Sequence, residues 1–194
     1  LGINVEDMLG MINERKSPDK KFSISEFKSF VFPSKRELIK NKIKACYLGN
    51  YIPWDVKKQV KIIEEELDWK GDVVEGVPEN YNYEKIECIM QGTRDFIKYL
   101  KRGYGRTTHL TSIDIRNDRL KREEALELAK IYDGKKPKSL DLFLKMINIS
   151  ENEFYEIVSK HVIAPHKMMT KEEFKRSSTN IVPKDLEDWL KKIK

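Results

Sequence analysis

The sequence predicts a mainly α-helical protein with a small residual sheet. Apolar residues recur at helical spacing along most of its 194 residues. Three S/T-x-x-E capping boxes, at Ser34, Ser150 and Thr170, mark helix starts. One short apolar run, Ala45-Cys46-Tyr47-Leu48, closed by Gly49-Asn50, reads as a buried strand ending in a turn. A chain of this length can bury on the order of 70% of its unfolded surface. Its 39% hydrophobic content, with eight Tyr and eight Phe, excludes a disordered polymer. No apolar stretch approaches the ~18 residues a membrane span needs, and no signal-peptide pattern opens the chain. A soluble, cytoplasmic protein is expected. Cys46 and Cys88 form no CxxC pair and no Cys/His cluster with metal spacing, so both are expected reduced and buried.

Val5, Met8, Leu9 and Ile12 have helical spacing, and Lys16-Ser17-Pro18-Asp19 ends that element as a turn. The Ser34 capping box opens a helix over about 35–43. Pro53 can begin the next, with Val56, Val60, Ile63 and Leu67 on one face, and Gly71 with the polar stretch after it breaks the pattern. Ile86, Ile89, Met90, Thr93, Phe96, Ile97 and Leu100 make a broad stripe that predicts a long helix over 83–101, capped by Gly103. Residues 102–109 are then expected to be a loop, because two glycines one residue apart make a poor helix interior. Residues 112–116 alternate like a strand but equally suit a helix start. Further helices are expected over 123–132 and 139–147, after Ser150 and Thr170, and from Pro183 with Leu186, Trp189 and Leu190.

The formal charge of +6 is concentrated. Eight basic and two acidic residues within 98–122 account for all of it. Such a field attracts phosphate, nucleotide or nucleic-acid backbone; a solvated surface is the plain alternative. At its centre stands Arg102-Gly103-Tyr104-Gly105-Arg106-Thr107-Thr108-His109. The glycines let backbone N–H groups approach an anion, the arginines can fork onto phosphate or carboxylate oxygens, and Thr107, Thr108 and His109 add uncharged donors. The run is not a Walker A loop. Asp114 and Arg116 are either a substrate-orienting pair or a surface ion pair. Asn50, Tyr51, Trp54 and Asp55 set aromatic rings, an amide and a carboxylate beside the expected strand end, where open α/β sheets bind ligands; a turn with packed aromatics explains them equally well. His161 and His166, with Pro165 between them, share no helix face and make a poor metal pair. No Ser/His/Asp order and no paired-carboxylate site stands out.

The runs Tyr47-Leu48-Gly49-Asn50-Tyr51-Ile52-Pro53-Trp54-Asp55, Arg102-Gly103-Tyr104-Gly105-Arg106-Thr107-Thr108-His109 and Ser112-Ile113-Asp114-Ile115-Arg116-Asn117 resemble the N-acetyl sugar amidotransferase family. Phe32-Pro33-Ser34, Arg122-Glu123-Glu124-Ala125 and Tyr132-Asp133-Gly134-Lys135 extend the resemblance to about residue 156. It implies a PP-loop ATP-pyrophosphatase of bacterial surface-polysaccharide synthesis (LPS O-antigen or nonulosonic acid), which converts a sugar acetamido group to acetamidino with ATP and Mg. It implies as partners a glutaminase that supplies ammonia and an acetamido sugar, free or nucleotide-linked, and it is compatible with a homodimer. Residues 1–116 would be the C-terminal portion of the PP-loop domain, an α/β fold of the adenine nucleotide alpha hydrolase type, and 117–194 a helical C-terminal region. The family's S-G-G-x-D-S phosphate loop and its cysteine motifs do not occur in this sequence, which starts at Leu1 and reads as entered mid-chain. The expected contribution is therefore the acceptor-sugar side, with Arg102, Arg106 and the Gly103 and Gly105 backbone toward phosphate. The competing readings are a basic helical module that binds nucleic acid, the less favoured partner, and an interaction domain without catalysis.

Overall fold

The structure is a computed structural model that describes residues 5–14 and 23–192. The chain is mainly helical, as expected, and no strand occurs among the described residues. It divides into two compact units, residues 1–55 and 56–194.

The first unit contains α1 (Val5–Glu14), a 3₁₀ segment (Ile24–Phe30) and α2 (Lys35–Lys40). The turn expected at Lys16-Ser17-Pro18-Asp19 lies outside the described residues. The α2 start follows the capping box: Glu37 N donates to Ser34 Oγ at 3.3 Å and Ser34 N to Glu37 Oε2 at 2.8 Å. The strand expected at residues 45–48 does not form. Its residues are irregular and lead into a 3₁₀ turn at Leu48–Asn50. A strand needs a neighbour for its N–H and C=O groups, and no described segment supplies one. Tyr47, Leu48 and Cys46 are correspondingly exposed, which also corrects the expectation of a buried Cys46; Cys88 is half-buried.

The second unit carries α3 (Val56–Leu67), α4 (Gln91–Arg102), α5 (Arg106–Arg116), α6 (Arg122–Tyr132), α7 (Ser139–Ile147), α8 (Glu151–Ser159), α9 (Lys171–Arg176) and α10 (Lys184–Lys192). Its main core joins Phe96 and Leu100 of α4, Leu140 and Leu144 of α7, Phe154 and Val158 of α8 and Phe174 of α9. Phe174 stacks against Phe96 and Phe154 at 5.7 and 6.1 Å and meets Tyr155 edge-on at 5.5 Å. Full burial of such a ring stabilises by roughly 1.5–3 kcal/mol. Inside the α4–α7 contact, Ser139 Oγ accepts from Thr93 N at 3.0 Å and bonds Thr93 Oγ1 at 2.8 Å, so this buried polar pair is mutually satisfied. A smaller core gathers Val74, Val77, Tyr81 and Leu110.

Helix α2 stops at Lys40, short of the expected 43, and α3 starts at Val56 rather than at Pro53; the larger differences lie at α4 and α5. Helix α4 starts at Gln91 rather than near Tyr83. Upstream, Glu79–Tyr81 forms a 3₁₀ turn, Lys85 has a positive φ of 61°, and Tyr81 is buried as an anchor; that anchor overrides the apolar periodicity. The expected loop over 102–109 shrinks to three residues, because Arg106 already begins α5. The ambiguous run 112–116 is the last part of that helix.

Candidate functional site

Helix α4 ends in Gly103, whose φ of 81° is the left-handed cap that glycine adopts at no steric penalty, with Gly103 N donating to Tyr99 O at 2.7 Å. A second requirement acts at the same position. A Cβ on Gly103 would lie 2.5 Å from His166 Nδ1. Residues 163–166 are held against the end of α4 by Ile163 N donating to Lys101 O at 2.9 Å. Arg102, Gly103 and Tyr104 on one side, and Ile163, Ala164, Pro165 and His166 on the other, line a groove of about 630 Å³. That is the size of a small-molecule site.

The groove is basic and aromatic. Arg102 and Tyr104 are exposed, and a bond from Arg102 to the Tyr104 hydroxyl, with the positive field of Lys98, holds that hydroxyl below its ordinary range. Lys98 Nζ lies 4.5 Å from the centroid of the Tyr104 ring and reaches Gly105 O at 3.4 Å. His166 Nε2 is buried without a partner, and its ring meets Tyr99 edge-on at 6.4 Å. Burial first, and then the charges of Lys98 and Arg106, depress His109, so its imidazole is neutral at physiological pH.

The other residues of the Arg-Gly-Tyr-Gly-Arg run turn inward. The first turn of α5 offers free backbone N–H groups, the feature that suits an anion. The Asp133 carboxylate fills that place: Thr107 N donates to its Oδ1 at 3.0 Å, Gly105 N and Thr108 N to its Oδ2 at 3.0 and 3.1 Å, and Thr108 Oγ1 to Oδ2 at 2.6 Å. Gly105 permits this approach, since a Cβ there would sit 2.3 Å from Asp133 Oδ1. Arg106 is likewise engaged. Its Nε and Nη2 fork onto Asp95 at 3.0 and 2.9 Å, and its Nη1 reaches Glu84 at 2.9 Å.

Asp114 and Arg116 do not pair. Asp114 is buried and accepts from Lys57 Nζ at 2.6 Å, Tyr81 Oη at 2.7 Å and Arg119 Nε at 2.8 Å. Burial alone would raise its pKa, but these three bonds outweigh burial and hold it below the ordinary value. Arg116 is exposed, with Nη1 3.5 Å from Ser112 Oγ. Asn50, Tyr51 and Trp54 are exposed in the first unit and Asp55 is partly buried; the strand end expected beside them is absent.

Sequence reasoning missed Asp133 as the occupant of the α5 terminus and His166 as a wall of the groove. An Asp-Gly pair 26 residues after Thr107 carries no local sign of that contact. In the sequence His166 stands out only as a poor metal partner for His161. Among the described residues no group of three or more His, Cys, Asp or Glu side chains could hold a metal ion. No helix among them is long and apolar enough to cross a membrane.

The second unit is thus a helical domain with an outward basic and aromatic groove beside a self-capped helix. The family described as "LPS biosynthesis protein WbpG-like, C-terminal domain" matches residues 75–193, which contain the groove, the α5 terminus and the main core. The chain belongs to that family. No curated protein and no solved structure matches it.

Proposed function

We propose that this chain forms the acceptor-sugar side of an ATP-dependent sugar amidotransferase of LPS biosynthesis. The observation that carries the reading is the groove over Arg102, Tyr104 and His166, which lies inside the family-matched residues. Pro165 and the Tyr104 face away from Lys98 would stack on a pyranose ring, and the exposed Arg102, bonded to the Tyr104 hydroxyl, would meet an anionic substituent beside it.

In the proposed reaction ATP would supply the activation that turns the acetamido oxygen into a leaving group, and ammonia from a glutaminase partner would replace it to give an acetamidino group. Hydroxide would be a poor leaving group from the amide, which is the reason to activate it. The residues described here do not fit ATP and Mg: the sequence has no S-G-G-x-D-S loop, and the N–H groups at the α5 terminus already hold Asp133. The ATP-handling step is therefore not assigned to them.

The test is isothermal titration of the chain with free and nucleotide-linked acetamido sugars at two salt concentrations. Saturable binding, weakened about tenfold in Arg102→Ala by loss of a charge-assisted contact, supports the reading. Binding of generic polyanions alone, with a steep loss of affinity in salt, sinks it in favour of a nucleic-acid module. The second outcome is disfavoured because Arg106 and Arg119 are already neutralised by carboxylates.

A further inference from the structure

Four of the chain's nine glycines, Gly76, Gly92, Gly105 and Gly134, meet at one cleft in the second unit, which shares no lining residue with the groove. Its interior is about 30 Å³, room for one or two water-sized groups. Glu75 lines it and is only 5% exposed. One oxygen of this carboxyl is employed structurally: Oε1 accepts from Lys138 N and from Ser139 N, the latter at 3.2 Å, at the start of α7. The other oxygen, Oε2, is fully buried and has no hydrogen-bond partner. A buried polar atom left unmatched is expensive, so such an atom beside a small cleft points to a group that completes it.

The charge around the cleft indicates which kind of group. Asp95 and Asp133 also line it. Asp95 shares a single cation, Arg106, with Glu84, and Asp133 is met by helix N–H groups and a hydroxyl rather than by a cation. Lys135, the other cation on the wall, is exposed to solvent. Three carboxyl groups, Glu75, Asp95 and Asp133, thus line the cleft with two cations, Arg106 and Lys135. A compact cation that donates hydrogen bonds matches both the size and the unpartnered acceptor.

We infer that this cleft binds a small N–H cation, either an ammonium ion or the amidinium tip of a larger molecule, held by Glu75 Oε2. The inference stands on the cleft alone and does not need the reaction proposed above, although that reaction's nucleophile and product belong to the same chemical class. Burial raises the Glu75 carboxyl above its ordinary pKa, against the hydrogen bonds from Ser139 and Lys138.

The test is titration of the whole chain with ammonium chloride and, separately, acetamidinium chloride, followed through the backbone amide resonances of Gly76, Gly92, Gly105 and Gly134. Sodium and tetramethylammonium chloride are the controls, since neither donates an N–H bond. Saturable shifts with one or both N–H cations support the site. Tighter binding of ammonium identifies a free-ion site, and tighter binding of acetamidinium a site for the tip of a larger molecule. Glu75→Gln should weaken binding about tenfold, the loss expected for one charge-assisted bond. Gly92→Ala should weaken it independently, because its Cβ would lie 2.1 Å from Glu75 Oε2. The absence of saturable shifts, or shifts matched by tetramethylammonium, overturns the inference whether or not the chain binds sugars.

Discussion

The Asp133 carboxylate caps the helix that begins beside Thr108, taking both the backbone N–H and the hydroxyl of Thr108 on one oxygen. Three backbone donors and a hydroxyl converge on this one side chain, and the anion that residues 102–109 were expected to bind as a loop is supplied, at the start of α5, by the chain itself. Replacing Asp133 with Ala should destabilise the fold by about 1–2 kcal/mol, the range for loss of a helix cap. Urea denaturation measures this. Inorganic phosphate should then raise the thermal midpoint of the variant more than that of the native chain, because the vacated terminus becomes an anion site.

Asp114 is a buried carboxylate that accepts from three side-chain donors. Truncation to Ala leaves Lys57 and Arg119 without their shared anion and the Tyr81 hydroxyl without its acceptor, so a loss of about 3–5 kcal/mol is expected. Its folded pKa lies below the ordinary 3.8. The stability it contributes is therefore complete above that value and disappears as pH falls through the folded one. Acid titration of stability should show a drop below about pH 4 that Asp114→Asn lacks.

Glu75 has the opposite sign. Burial raises its pKa above the ordinary 4.5, against the hydrogen bonds from Ser139 and Lys138 that pull it down. Its stabilising contribution is complete below the ordinary value and is lost as pH rises through the folded one. Denaturation at pH 5 and pH 8 should show a decline that Glu75→Gln flattens.

Gly103 is constrained twice, by a φ of 81° and by the His166 ring. Gly103→Ala should cost about 1–2 kcal/mol for the left-handed backbone alone, with more for the displaced imidazole. Because the substitution pushes residues 163–166 away, sugar affinity in calorimetry should fall with stability. A variant that loses stability while keeping full affinity would detach the 163–166 segment from binding.

How far the fold was readable depended on the range of the interactions involved. Capping boxes are local: Ser34 with Glu37, Ser150 with Glu153 and Thr170 with Glu173 lie three residues apart, and all three form. The end of α4 at Gly103 was readable for the same reason. The strand at residues 45–48 was not, since an apolar run is equally a strand, a helix segment or an exposed turn until a neighbour decides. The start of α4 was misplaced because the burial of Tyr81 imposes a turn inside an apolar stripe.

By itself, then, the sequence determined a capped helical chain with its positive charge gathered in 98–122, because helix caps, glycine stops and charge counts depend on near neighbours. Tertiary structure alone decided which of those charged and glycine residues face outward. Arg106 meets Glu84 22 positions away, Thr107 meets Asp133 at 26, Asp114 meets Lys57 at 57, and Glu75 meets Ser139 at 64. A charged side chain is open to a ligand only where folding has not already brought an opposite charge to it, and such long-range pairings exist only once the helices have packed.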